Sequence, residues 1–150
     1  MSGRFFDDWT VGDRIEHAIR RTVTETDNLL ISTLSHNTQP LHVDADFAAQ
    51  TEFDRIVVNS CFTFALMIGI SVGDTTQGTL VANLGIEKFV TPMPVFIGDT
   101  LRITSEVVAA RASRSRSDAG IVTFRHQAIN QRQETVADCL RLALVARAPA

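Results

Sequence analysis

The chain has 150 residues, 45% hydrophobic and 21% charged, with a formal net charge of -3, the balance of one soluble globular domain. No basic block is present, and the local cluster Arg111, Arg114 and Arg116 is too small to make the patch or stripe that a nucleic-acid partner needs. The most apolar stretch, Ile56 to Val72, is interrupted by Asn59, Ser60 and Thr63 and falls short of the roughly 18 apolar residues that suggest a membrane span.

The N-terminal MSGRFFDDWTVGD carries acidic residues and no continuous apolar segment, so no secretory signal is expected and the predicted location is cytoplasmic. Asp13 to Val23 reads as an early strand. Thr24 can cap a helix with Glu25 and Asp27 in its first turn, running through DNLLISTL to about Ser35. Pro40 is expected to close the loop that follows, and Asp44 or Asp46 to cap a second short helix through Phe47 to Gln50. NSCFTFALMIGISVG, from Asn59 to Gly73, is apolar on nearly every side and long enough for a helix, with Asn59 or Ser60 as cap and Gly73 as stop. A helix hydrophobic all round is expected to be enclosed.

Alternation then marks four strands. Leu80, Ala82, Leu84 and Ile86 share one face, and Leu101, Ile103 and Val107 share another after the Gly98-Asp99 turn. Val122, Phe124 and Ala128 mark the third strand, and Val136, Leu140, Leu142 and Leu144 the fourth. Long strands joined by short turns predict an antiparallel sheet and an α+β architecture, whose open edge favours dimerisation. Cys61 and Cys139 sit in apolar contexts without metal-ligand spacing and are expected to be reduced, buried thiols, with no metal site.

Two motifs carry a resemblance. Ser35-His36-Asn37-Thr38-Gln39-Pro40-Leu41-His42 is similar to the S/T-G-D-x-N-P-L/I-H motif of the MaoC-like dehydratases, the (R)-specific or type 2 enoyl-CoA hydratase family. Pro94-Val95-Phe96-Ile97-Gly98-Asp99-Thr100-Leu101 resembles the same family's P-V-x-x-G-D-T-L turn. The resemblance implies one hot-dog domain over residues 1–150, with a curled antiparallel sheet wrapped around one long central helix from about Asn59 to Gly73. N-x-Q-P-L-H in place of D-x-N-P-L-H, together with RASRSRSDAG at 111–120 and Asn130-Gln131, is similar to members that hydrate itaconyl-CoA or mesaconyl-CoA. The expected reaction is addition or removal of water across the double bond of an enoyl-CoA thioester, a branched C5 dicarboxylyl-CoA in particular. No cofactor is implied, because coenzyme A is part of the substrate, and a homodimer or an oligomer of dimers is expected.

Such a hydration requires a base for water, a proton for the α-carbon and stabilisation of the enolate oxygen. The resemblance makes His42 the base. Asn37 stands where the family has aspartate, and an amide can orient water but cannot exchange its proton. Either His42 handles the protons alone, or Asp44 assists; Asp44 is equally suited to cap a helix. Gln39 either touches substrate or ties down the loop. His36 occupies a position usually held by glycine, where histidine tolerates left-handed backbone values. The expected oxyanion and substrate contacts are Asn59, Ser60 and Cys61, at a helix start with free N–H groups. Arg111, Arg114 and Arg116 are the expected coenzyme A ligands across a dimer edge, and Arg55 is a candidate for a distal carboxylate. His17 and His126 lie in strand patterns and are expected to be structural. A straight-chain (R)-specific enoyl-CoA hydratase and a non-catalytic acyl-CoA binding protein are the alternatives, the second favoured by Asn37.

Overall fold

The alternation in the second half of the chain produces four long strands, β2 (Leu80–Val90), β3 (Thr100–Ala112), β4 (Ala119–Ile129) and β5 (Thr135–Ala146), and β1 (Arg14–Thr22) joins them from the N-terminal side. In the computed structural model, which describes residues 3–149, they form one antiparallel sheet in the order β1-β3-β4-β5-β2. Among the described residues there are four α-helices, α1 (Glu25–Leu34), α2 (Pro40–Val43), α3 (Ala45–Ala49) and α4 (Ser60–Thr75), besides a 3-10 turn at Phe6–Asp8. The α+β expectation is met in these elements.

The expected wrap is not. The sheet is open, with β1 and β2 as edges that pair with no further strand among the described residues. Nor is there one enclosed axial helix: α4 lies on one face of the sheet, against β1, β3 and β4, and shares the molecule with three other helices. Met67 and Ile70 of α4 enter a core with Leu101, Ile103, Ala128 and Cys139. Cys61, Ala65 and Gly69, one helical turn apart, stay exposed on its outer side. These outward residues are small, so an apolar composition left little area that a wrap could remove from water. Cys61 is therefore exposed and Cys139 alone is buried. Burial pushes the Cys139 thiol up to about 11.

Local signals decide most element starts. Thr24 caps α1, accepting the Asp27 N–H at 3.2 Å while the Asp27 carboxylate accepts the Thr24 N–H at 2.9 Å. Pro40 opens α2 rather than closing a loop, because its missing N–H is not needed in a first turn. Asp44 caps α3 by accepting the Phe47 N–H at 3.0 Å. α4 runs past Gly73 to Thr75; Gly73 keeps an ordinary helical backbone, and the left-handed turn falls instead on Gly78, at φ 78°.

The buried faces of β3 and β4 are those expected: Leu101, Ile103, Val107, Val122, Phe124 and Ala128 are all essentially inaccessible. On β5 the parity is reversed. Cys139, Arg141, Ala143 and Val145 face the core, and Leu140, Leu142 and Leu144 are only half-buried on the opposite face. The register accounts for this, since Cys139 pairs with His126 and Arg141 with Phe124, and paired residues share a face. On the edge strand β2, Leu80 and Leu84 are exposed, and register shifts break the expected single face.

The expected structural histidines form a polar chain across α4, β1, β3 and β4 that is buried except at its Asp74 end. Asp74 lies 2.7 Å from Nδ1 of His17, whose Nε2 is 2.8 Å from the Ser105 hydroxyl, itself 2.7 Å from Nδ1 of His126. Burial, with the charges of Arg141 and His17, pushes His126 down to about 3, so that ring is neutral. Arg141 reaches Asn83 and Thr76, each at 3.2 Å, and ties β5 to β2 and to the C-terminal end of α4.

Candidate active site

His42 sits in the short helix α2, in the cleft between α1 and the N-terminal end of α4. Its Nδ1 lies 2.7 Å from the Val57 carbonyl. A carbonyl only accepts, so Nδ1 carries the proton and the neutral ring presents a bare Nε2. His42 lines a cavity of about 380 Å³ together with Ser60 and Thr63 of α4 and the apolar side chains of Phe53, Val95 and Val136, a size and lining typical of small-molecule sites.

The start of α4 is organised by three hydrogen bonds. The Asn59 N–H donates to Asn28 Oδ1 at 2.9 Å, the Cys61 N–H to Asn59 Oδ1 at 3.0 Å, and the Phe62 N–H to the Asn59 carbonyl at 2.9 Å. Of the expected donors, only the Ser60 N–H is without a partner among the described residues. It stands at the positive end of a 16-residue helix, where partial charge favours an anion.

The remaining candidates lie outside the lining of this cavity. Asn37 Oδ1 accepts the Gln39 N–H at 3.1 Å and its own N–H donates to the Ser32 carbonyl, so Asn37 shapes the turn that leads into α2. Its neighbour His36 adopts the left-handed backbone, at φ 52°. Asp44 is engaged as the α3 cap. Asn37, Gln39, Asp44, Asn59 and Cys61 lie outside the cavity lining; His42 and Ser60 are inside it. Arg111 ends β3, and Arg116 pairs with Asp118 in the following turn. The cavity lies at the other end of the sheet, near Val136 at the start of β5. At about 3.3 Å per residue, the arginine turn is roughly 30 Å away along the strands.

Four contributors were not foreseen. Asn28 and Ser32, both buried, lie between α1 and the site, and their pattern within a leucine-rich helix was a readable signal. Thr63 lines the cavity with a buried hydroxyl that has no partner among the described residues. Asp99, in the Gly98-Asp99 turn, accepts the Phe96 N–H, a Gln131 amide hydrogen and an Arg132 N–H at 2.8–2.9 Å. Burial alone would raise its carboxyl, but the hydrogen bonds from Arg132, Phe96 and Gln131 outweigh it and hold Asp99 below its ordinary value. This bracing fixes the segment from Pro94 to Thr100 beside the cavity. Among the described residues no group of three or more metal-ligating side chains converges, and no helix is long and apolar enough to cross a membrane.

The model of the MaoC like domain matches residues 8–129. The chain belongs to that family. It is 33% identical over 144 residues to mesaconyl-CoA hydratase of Cereibacter sphaeroides, a match covering 96% of this chain and 41% of that protein. To β-methylmalyl-CoA dehydratase of Chloroflexus aurantiacus it is 32% identical over 143 residues, covering 95% of this chain and 40% of the other. The chain thus spans about two fifths of the length of these curated relatives. The crystal structure of a MaoC-like dehydratase from Rhodospirillum rubrum superposes with a TM-score of 0.88 at 28% identity, covering 99% of this chain and 100% of that one. In this MaoC-like chain the family's motif is therefore the segment that delivers His42 to the cavity, and the second motif is the turn braced by Asp99.

Proposed function

We propose that this chain is a hydro-lyase that adds water to, or removes it from, the double bond of an enoyl-CoA thioester. The observation that carries the reading is the fixed tautomer of His42, with Nδ1–H held by Val57 and Nε2 bare, in a cavity that also presents the start of α4. In the hydration direction Nε2 takes a proton from water as its oxygen bonds to the β-carbon. The electron pair of the double bond moves toward the thioester oxygen, where the Ser60 N–H and the helix dipole stabilise it. The imidazolium then returns the proton to the α-carbon, so the net change is one water added. Asn37 has its carbonyl oxygen committed to Gln39 and lies outside the cavity lining, so it serves the turn that leads into α2, and His42 carries the proton traffic alone.

The substrate we favour is a branched C5 dicarboxylyl-CoA such as mesaconyl-CoA or itaconyl-CoA. Two features support it: the likeness to the mesaconyl-CoA hydratase, and Arg55. The Arg55 guanidinium lies over the Phe96 ring, 4.4 Å from its centre. It lines a second cavity, of about 300 Å³, that shares Met93 and Pro94 with the His42 cavity. Arg55 has no acidic partner among the described residues and can receive a distal carboxylate. The apolar walls of the main cavity favour a second reading, a straight-chain enoyl-CoA. We also propose that residues 1–150 act as one unit and that two copies pair, a reading supported by the exposed Leu80, Val81, Leu84 and Val90 of edge strand β2. In such a pair the Arg111, Arg114 and Arg116 turn of one copy could serve coenzyme A bound at the other.

The test is hydration of mesaconyl-CoA, itaconyl-CoA and crotonyl-CoA, followed by mass, with His42→Ala alongside. Hydration of a dicarboxylyl thioester that falls by about 10²–10⁴ in the variant is expected. Preference for crotonyl-CoA would select the straight-chain reading, and a folded protein that hydrates none of the three would end the enzymatic one.

A further inference from the structure

α1 packs with its polarity inverted. Leu29, Leu30 and Leu34 face solvent, while Asn28 and Ser32, one turn apart, are its buried residues, at 3% and 2% exposure. Turning polar side chains inward in place of leucines is unfavourable unless every polar atom finds a partner, and here they do. Asn28 Nδ2 donates to the His42 carbonyl at 2.8 Å, and Asn28 Oδ1 accepts the Asn59 N–H at 2.9 Å. Ser32 Oγ accepts from Asn59 Nδ2 at 3.3 Å, and the Ser32 carbonyl accepts the Asn37 N–H at 2.9 Å.

One amide side chain thus joins two segments 17 residues apart in sequence: the helix that carries His42 and the N-cap of α4, immediately before Ser60. Few side chains do both jobs. A carboxylate accepts but does not donate, and an aliphatic residue does neither. The bond to Asn59 has a second consequence. It occupies the N–H of the cap residue, so the unpartnered donor at the helix start is that of Ser60. With the His42 ring tied to Val57 as well, both the main chain and the ring of the histidine are referred to the segment that leads into α4.

We infer that Asn28 is a positioning residue that sets His42 Nε2 at its working separation from the Ser60 N–H. The inference rests on the proposed roles of those two groups. Misplacement of reacting groups by about 1 Å costs on the order of a hundredfold in rate, so a loosened clamp is expected to lower kcat with little change in KM.

The experiment compares Asn28→Asp and Asn28→Ala in the full chain. Asn28→Asp keeps an acceptor for the Asn59 N–H and removes the donor to the His42 carbonyl; Asn28→Ala removes both. Two readouts are taken on each: steady-state kinetics normalised to folded protein, and the ¹⁵N ring shifts of His42. We expect Asn28→Asp to lose about ten- to a hundredfold in kcat with KM within about threefold, and both variants to move the His42 ring from the pure Nδ1–H tautomer toward a mixture. Unchanged ring shifts in both variants would overturn the positioning role whatever the activity, as would wild-type kcat in Asn28→Asp. If the wild-type protein hydrates nothing while the ring shifts respond, the enzymatic reading fails and the clamp stands.

Discussion

The Nδ1 of His42 donates to the main-chain carbonyl of Val57 across 2.7 Å, and this one bond selects the tautomer. A main-chain carbonyl has no proton to give and does not titrate near neutrality, so the ring nitrogen facing it is a donor for as long as the ring is neutral. The partner of a catalytic imidazole is often a carboxylate; a peptide carbonyl supplies the same orientation without adding charge to the cavity. That is consistent with a site whose motif carries an amide, Asn37, in place of an acid.

Arg55→Leu tests the substrate class. A hydrogen-bonded contact to a charged group contributes about 1.5–3 kcal/mol, so kcat/KM for mesaconyl-CoA should fall about ten- to a hundredfold, with crotonyl-CoA changed by less than about threefold. Equal losses on both thioesters would mean that Arg55 does not read the distal carboxylate.

Thr63→Val should stabilise the protein. The Thr63 hydroxyl is buried and unpartnered among the described residues, and such a group destabilises a fold by about 1 kcal/mol or more. Replacing it with a methyl of similar shape is expected to raise Tm by about 2–4 °C. A lower Tm in differential scanning calorimetry would show that the hydroxyl has a partner in solution.

Asp99→Asn should remove a pH-dependent part of the stability. The folded Asp99 carboxyl is held below its ordinary value of 3.8, so in acid the unfolded chain binds the proton first. The contribution is therefore complete above the ordinary value and is lost as pH falls through the folded one. Asp99 is 5% exposed but its partner Arg132 is 46% exposed, so breaking this network is expected to cost about 1–2 kcal/mol at pH 7. In urea unfolding curves the gap between wild type and variant should narrow below about pH 4. A gap that stays constant down to pH 2.5 would assign the stability to something other than the ionised carboxylate.

Much of this molecule was legible before any fold was known, where the cause was local. Thr24 and Asp27 satisfy each other's backbone N–H groups within one turn, so the start of α1 was decided by four residues. Alternation gave the buried faces of β3 and β4, and the two motifs drew attention to His42 and to the Gly98-Asp99 turn, whose glycine takes a left-handed φ of 93°.

What only the tertiary structure decided are relations between distant segments. Periodicity says that one face of β5 differs from the other, but not which is inside. The pairing of Cys139 with His126 settles that, and it sends Arg141 inward and the leucines outward. The same holds for the polar run from Asp74 through His17 and Ser105 to His126, whose members come from four elements. Whether an apolar helix is enclosed depends on how far the sheet closes, a relation between distant segments that the composition of α4 alone does not fix. At the site the sequence supplied the histidine, while packing supplied its orientation. A hydrogen bond between Asn28 and His42 has no local periodicity to announce it; it exists because α1, α2 and the start of α4 are packed close enough for one buried amide to satisfy both.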